Sequence, residues 1–567
     1  MSPDRLLAHF DRISEAPDAV PRLRQFILEL AVRGKLIDHY PKDEPASVLL
    51  KRILAEKERR IRDEQMKKQE PLPQVRPDEA WFDVPTSWSW VRLGTITQVL
   101  MGQSPPGETY NKTGEGIPLI NGPVEFTDGP FGKTVVNQYT TAPTNLCEEG
   151  DLLLCVRGST TGRTNIAGFR ACIGRGVAAI RPFFADQYVR LFIWRLRAFI
   201  IAMGRGIAFP SVSRQQIEEL PVPLPPLAEQ HRIVAKVDEL MALCDRLEAA
   251  QAERERRRDQ MAAASLHRLN NGADSDAFRE HARFHLRHLP RLATRPEHIQ
   301  QLRQTILNLA VSGKLVSQDL DDESAYELLM RIEKRKAHLL REARIKKTKA
   351  CRKFDRNVVP HSVPMSWTWT MLGEITDVGT GSTPSRTQPS FWERGTIPWI
   401  TSGSTSQLLI TAGDEFVTEK AVNAHRLRLY QPGTLLVALY GQGKTRGQVA
   451  TLGIESTINQ ACAAVCPLQG FEHMHMYLKL LLKKNYDEVR SLSAGGAQPN
   501  LNVQKIKEVL VPLPPLAEQH RIVAKVEELM ALCNGLEAQL TTAQTESCRL
   551  LEAVLRHALA PALADAA

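Results

Sequence analysis

Val222–Glu248 reads VPLPPLAEQHRIVAKVDELMALCDRLE, and Val511–Glu537 reads VPLPPLAEQHRIVAKVEELMALCNGLE. Of the 27 positions 24 are identical, the exceptions being Asp238/Glu527, Asp245/Asn534 and Arg246/Gly535. The offset between the copies is 289 residues. Pro225-Pro226 and Pro514-Pro515 block a helix upstream, so each long helix is expected to start near Leu227 and Leu516. Ile233, Val237, Leu240, Cys244 and Leu247 then step by 4, 3, 4, 3, and Ile522, Val526, Leu529, Cys533 and Leu536 repeat the pattern. That spacing is a heptad seam. The first helix is expected to run to about Leu269, before Asn270-Asn271-Gly272, which makes a rod of roughly 60 Å. Two rods with one apolar seam each pair most simply with each other; packing of each seam on its own domain is the alternative.

Working outward, a second match lies near the start of each copy. Leu23–Ile37 (LRQFILELAVRGKLI) pairs with Leu302–Val316 (LRQTILNLAVSGKLV), 11 of 15 identical, at offset 279. Trp88-Ser-Trp90 and Trp367-Thr-Trp369 pair at the same offset. One unit of about 280 residues therefore occurs twice, which is the sequence signature of an internal repeat. Gly34 and Gly313 suit the end of the first helix in each unit, and charged helices are expected over 47–68 and 324–349. The middles have diverged, keeping only echoes in order such as Gly150-Asp-Leu-Leu-Leu against Gly433-Thr-Leu-Leu-Val. Short β-type runs at 151–156, 177–180, 435–439 and 463–465 alternate with Gly, Pro, Thr and Asn, and helical stretches follow at 187–203 and 474–492. The expected organisation is a helical region at 1–80, a globular domain at 81–216, a long helix at 217–270, a linker at 271–295, a second helical region at 296–360, a second globular domain at 361–505 and a second long helix at 506–567.

Charge and composition exclude several classes. The 567 residues hold 73 Lys+Arg and 64 Asp+Glu, a formal excess of +9, with 43% apolar residues. This is an ordinary globular composition. Residues 331–356 alone hold 12 Lys/Arg and 3 Asp/Glu, also +9. Such a run is either a solvated helix face or a contact for phosphates or an acidic subunit. No run of about 18 uncharged apolar residues exists; the longest candidate, 189–203, is interrupted by Arg190, Arg195 and Arg197. The start Met-Ser-Pro-Asp lacks a signal-peptide pattern, and nine scattered cysteines without a C-x-x-C pair fit reduced thiols. A cytoplasmic location is expected.

Candidate chemistry is that of binding. Gly441-Gln-Gly443-Lys444-Thr445 resembles the end of a phosphate loop, but Ala438 stands where the first Gly is required. Gln442, Lys444, Thr445 and Arg446 suit DNA better, and Arg157, Ser159, Thr160 and Arg163 form the counterpart in the first unit. Both loops follow an apolar strand. Glycine allows close approach, Arg and Gln address base edges, and Lys and Thr address phosphates; a plain tight turn is the alternative. Arg175 and the pair Asn459-Gln460 occupy matching places before an apolar strand, as base readers or as structural amides. Ser211, Arg214, Asn500 and Asn502 lead into each hinge, either capping a helix or touching DNA. Cys462-x3-Cys466 has no second pair to complete a zinc site, and no metal is expected. Glu229, His231 and Lys236, repeated as Glu518, His520 and Lys525, are candidates for docking a partner subunit. No methyltransferase, nuclease or motor motif is found, so no catalytic residue and no cofactor of its own are expected.

The doubled PLPPLAEQHRIVAKV, the Trp-x-Trp pairs, the strand-loop Leu435–Arg446 and Ile458-Asn-Gln-Ala-Cys-Ala-Ala464 together resemble the type I restriction–modification specificity subunits (HsdS), over nearly the whole chain. The resemblance implies an α+β fold, in which two α/β target recognition domains are separated by long antiparallel coiled-coil helices about a pseudo-two-fold axis. It implies that each domain reads one half of a bipartite double-stranded DNA target while the helices set the gap. It implies two methyltransferase (HsdM-type) and two motor/nuclease (HsdR-type) subunits as partners, to which S-adenosylmethionine, ATP and Mg²⁺ belong. A recognition subunit of a fused methylase–nuclease system, and a coiled-coil scaffold that binds no DNA, are the other readings.

Overall fold

The computed structural model describes residues 16, 18–66, 68, 70–184, 186–204, 211–271, 275–346, 349–352, 359–440, 445–486 and 501–559. The chain divides into two compact units, Met1–Arg254 with Gln544–Ala567, and Glu255–Ala543.

In the first unit the helices α1 (Ala19–Val32) and α2 (Ala46–Arg62) precede the globular domain. The domain contains β1 (Ser89–Arg92), β2 (Thr97–Met101), β3 (Ile117–Ile120), β4 (Leu152–Cys155), β5 (Thr164–Ile166), β6 (Ala171–Ile173) and β7 (Val177–Pro182). It ends with α3 (Asp186–Arg195), the short α4 (Arg214–Glu218) and β8 (Pro221–Leu224), and α5 (Leu227–Asn271) follows. The central sheet has the order β2-β7-β4-β5 with antiparallel neighbours. β4 and the first four residues of β7 are buried throughout, which accounts for their continuous apolar runs.

The second unit repeats the plan after α6 (Ser275–Leu292). Its elements are α7 (Pro296–Val311), α8 (Ala325–Arg341), β9 (Thr368–Met371), β10 (Thr376–Thr380), β11 (Ile397–Ile400), β12 (Leu435–Ala438), β13 (Val449–Leu452), β14 (Thr457–Ile458) and β15 (Cys462–Pro467). Then come α9 (Met474–Lys484), α10 (Val503–Lys507), β16 (Leu510–Leu513) and α11 (Leu516–Leu559). Its sheet has the same order, β10-β15-β12-β13, with one further short strand, Leu409–Ile410, at the edge. The stretch 271–295, expected as a linker, is largely helical, because α6 occupies most of it.

The hinge reads directly as structure. β1 pairs antiparallel with β8, Trp90 opposite Pro223, and β9 pairs with β16, Trp369 opposite Pro512. Each is a two-stranded ribbon, so a proline has a free side on which its missing N–H costs nothing. The Tyr188 hydroxyl donates to the Pro223 carbonyl at 2.8 Å, and Tyr477 does the same to Pro512 at 2.5 Å. The Gln230 and Gln519 amides donate back to the Pro225 and Pro514 carbonyls at 2.8 and 3.0 Å, fastening the start of each long helix.

The seams correct one expectation. In the first unit Ile233, Val237, Leu240, Cys244 and Leu247 pack in one cluster with Val20, Leu23, Ile27 and Leu28 of α1 and with Trp88 and Tyr188. In the second unit Ile522, Val526, Leu529, Cys533 and Leu536 belong to a core that includes Ile299, Leu302, Ile306 and Leu307 of α7. Among the described residues this part of each seam is buried within its own unit. Heptad spacing shows only that one face is covered, and the nearest amphipathic helix covers it. Arg24 clamps the packing by ion pairs to Asp245 and Glu248 at 2.5 and 2.7 Å, and Arg303 bonds Asn534 and Glu537, both at 2.7 Å.

Candidate DNA interface

The strand registers bring the candidate loops to one end of each sheet. Cys155, the last residue of β4, stands opposite Val177, the first of β7. The loop after β4 and the loop before β7 are therefore neighbours. Val156 N–H donates to the Gly176 carbonyl at 2.9 Å, and Val212 N–H donates to the Val156 carbonyl at 2.9 Å. Arg157 and Ser211 form an isolated antiparallel bridge. The end of β2 joins the same edge, Gly102 N–H donating to the Val177 carbonyl at 2.8 Å and Gln103 N–H to the Ile173 carbonyl at 2.9 Å. Four segments thus converge there: 102–104, 156–163, 174–176 and 211–214.

Among the described residues the second unit builds the matching edge from Gly381–Thr383, Leu439 and Thr445–Gln448, and Asn459–Ala461. Leu439 N–H donates to the Ala461 carbonyl at 2.8 Å, and the Thr380 hydroxyl to the Cys462 carbonyl at 2.8 Å. In both units the loop before the last sheet strand leaves a parallel pair. β3 runs beside β6, with Ile120 opposite Ile173, and β11 beside β14, with Ile400 opposite Ile458.

The individual side chains divide into presented and engaged groups. Arg157, Ser159 and Arg175 are exposed and Thr160 is half-buried, all on the shared edge. Arg163 turns onto its own domain, its guanidinium near the Phe126 and Thr127 carbonyls at 3.5 and 3.4 Å. Ser211 is half-buried beside Arg157. Arg214 is exposed and paired with Glu218 at 2.8 Å. Gln442, Lys444 and Asn500 lie outside the described residues. Thr445 and Arg446 are half-buried ahead of Gly447, whose φ of 84° closes the loop. Asn459 holds the turn itself, its Oδ1 accepting Ala461 N–H at 3.0 Å, while the exposed Gln460 accepts the Thr383 hydroxyl. Asn502 caps α10, its Oδ1 accepting Lys505 N–H at 2.8 Å.

Two docking candidates are corrected. Glu229 and Glu518 are each 1% exposed and cannot offer a surface. Trp88 Nε1–H donates to Glu229 at 3.0 Å, and His39 Nδ1 lies 2.7 Å away. Trp367 Nε1–H donates to Glu518 at 2.9 Å and Gln318 at 2.7 Å. These carboxylates tie the first Trp of each Trp-x-Trp to its hinge helix. Burial raises the Glu518 pKa against the pull of these donors. His231 and His520 are exposed, and Lys236 and Lys525 pair with Glu239 and Glu528, each at 2.9 Å.

The sequence reading missed Gly102-Gln-Ser104-Pro105 and Gly381-Ser-Thr383-Pro384. They sit at the same offset of 279, a signal that was available. Arg175 N–H donates to Ser104 Oγ at 3.2 Å, so both motifs brace the neighbouring loop. Burial pushes the Cys462 thiol up to about 12 and Cys466 to about 11. Both thiols are protonated at neutral pH, Cys462 in the core and Cys466 packed against it. Among the described residues no three His, Cys, Asp or Glu side chains gather as a metal site, and no helix is long and apolar enough to cross a membrane.

The doubled edges are matched by a doubled domain in the comparison with known proteins. The pattern of the type I restriction modification DNA specificity domain matches residues 85–254 and 364–543. The chain belongs to this family. The specificity subunit of the type I restriction enzyme EcoEI of Escherichia coli is 28% identical, covering 95% of this chain and 94% of that protein. The EcoAI specificity subunit of Escherichia coli is 29% identical, covering 94% and 93%. A chain from a solved type I R-M system aligns at 18% identity with a TM-score of 0.49, covering 85% of this chain and 100% of that one. Two specificity domains thus occupy the two units, one each.

Proposed function

We propose that the chain is the DNA-specificity subunit of a type I restriction–modification complex, in which each recognition domain reads one half of an asymmetric bipartite target. The observation that carries this reading is the pair of matched sheet edges. Each ties its two central loops by a matching backbone bond, Val156 N–H to the Gly176 carbonyl and Leu439 N–H to the Ala461 carbonyl, and fills them differently, with Arg157, Ser159 and Arg175 in one and Thr445, Arg446 and Gln460 in the other. Arginine and glutamine in mobile-length side chains on glycine-bearing loops are the groups that discriminate bases in a major groove.

The long helices act as a ruler between the half-sites. Their near-identical first halves, with His231 and His520 exposed and Lys236 and Lys525 half-buried, dock two methyltransferase subunits. Two motor/nuclease subunits complete the restriction assembly. The chain contributes no catalytic residue; S-adenosylmethionine, ATP and Mg²⁺ act on the partner subunits, in the cytoplasm.

The test is an exchange of residues 85–216 for another such domain, followed by mapping of modified bases in cells that hold the partner subunits. One half of the target changes and the other is retained. An unchanged target, or loss of both halves with the complex intact, would sink the assignment.

A further inference from the structure

We propose that α6 is a second, sequence-independent DNA contact, set apart from the recognition edges and gripping duplex phosphates through an arginine ladder. Arg279, Arg283, Arg287 and Arg291 recur every four residues along this helix and all four are exposed. The opposite face is buried: His285 sits 2.9 Å from Ser265 Oγ of α5, and Leu292 is in the core. The ladder therefore occupies the solvent face of an anchored helix. At 1.5 Å per residue the four guanidinia span about 18 Å, and a duplex strand presents a charge roughly every 3.4 Å of its axis.

Like charges at i, i+4 destabilise a helix, and here little offsets them. Arg279 has Asp276 at 3.4 Å. Arg283, Arg287 and Arg291 have no ion pair with any described residue. Other exposed arginines on helices are matched on the spot, Arg59 with Glu56 at 2.8 Å and Arg331 with Glu323 at 2.7 Å. An uncompensated row of this length is complementary to a linear polyanion.

A doubled protein partner fits less well. At offset 279 the counterparts of Arg283, Arg287 and Arg291 are Asp4, Ala8 and Arg12, so the ladder exists once, not twice. A subunit that docks alike on both copies has no use for it, whereas a single continuous duplex does.

The inference rests on the DNA reading above, and one experiment separates the two. The full chain in complex with its partner subunits is titrated with a duplex lacking the target, over a series of salt concentrations. The variant Arg283→Gln/Arg287→Gln/Arg291→Gln should flatten the slope of log affinity against log salt by about two to three. Arg59→Gln, taken from a matched pair, should leave it unchanged. Modified-base mapping should return the same half-sites for all three proteins. An unchanged slope in the triple variant overturns the ladder, as does loss of a protein subunit from the complex at an unchanged slope. A wild-type complex that binds no duplex at all overturns the DNA reading beneath it.

Discussion

Gly381 has no room for a methyl group. A Cβ there would meet the Ile458 carbonyl oxygen at 1.6 Å, and at Gly102 it would meet the Gly174 carbonyl oxygen at 2.2 Å. In both units the strand leaving the sheet passes directly over the end of the parallel pair, and that close approach fixes the loop that carries Arg175 or Gln460. Gly381→Ala should lower stability by about 1–3 kcal/mol, the cost of overpacking that forces the backbone to shift, and Gly107→Ala, where nothing lies within 4 Å, should change it by less than about 0.5 kcal/mol. Thermal unfolding of the two variants checks this, and equal shifts would refute the close-approach account. The repeated Gly-x-Ser/Thr-Pro motif was visible as sequence. What the glycine passes over was not, because the obstructing carbonyl lies 77 residues further on. Glu229 shows the same limit. A charged residue in the first turn of a helix reads as surface, and only the fold reveals that Trp88 and His39 converge on it.

The elements were easier to read than their partners. Double prolines fixed the starts of α5 and α11 at Leu227 and Leu516, since proline cannot be followed backwards into a helix. The seams gave the buried face but not the covering element. The basic run at 331–356 was similarly half legible. Lys336 donates to the Thr376 carbonyl at 2.9 Å and also to that of Gly373, and Lys57, 279 residues earlier, donates to Gly94 at 3.0 Å. Burial lowers the pKa of both lysines. Part of the positive run is therefore an internal fastening. The α1–α3 contact gives a testable difference between the units. Glu29 is buried, yet the ion pairs with Arg195 at 2.7 Å and Arg33 at 2.6 Å outweigh that burial and lower its pKa. A depressed folded pKa means stability that is present above the unfolded carboxyl value, about 4.3, and is lost as pH falls through the folded one. The second unit has Asn308 and Lys484 at these positions. Glu29→Gln should cost about 1–3 kcal/mol at neutral pH by stranding Arg195. It should also make unfolding less steeply pH-dependent below about pH 4. Chemical denaturation from pH 6 to pH 3 measures both; an unaltered acid slope would show that the pair carries no linkage.

At the scale of the molecule, the repeat that sets the architecture also sets what can be engineered. Each long helix belongs to both compact units, since the first unit takes α5 up to Arg254 and the end of α11 from Gln544, and the second takes the rest. Both ends are fastened. Leu551 and Val554 of α11 pack with Ala16 and Ala19. On α5, Asp259 pairs with His298 at 2.8 Å, and Asn270 accepts from Lys314 at 3.0 Å. A helix gripped at both ends transmits a change in its length, because its hydrogen bonds leave no slack over a few turns. Four residues inserted between Arg254 and Glu255 lengthen α5 by about 6 Å, which is roughly two base pairs at 3.4 Å each. The recognition edges lie forty residues or more upstream of that point or on the second unit's own sheet, so their loops keep their bonds. Mapping of modified bases should therefore return the same two half-sites with a longer gap. The partner insertion after Ala543 in α11 should be needed with it if both helices hold the distance, and each alone should then weaken modification without redirecting it. Altered half-sites with the old gap would refute the ruler, because specificity would then reside in the helices and not in the loops.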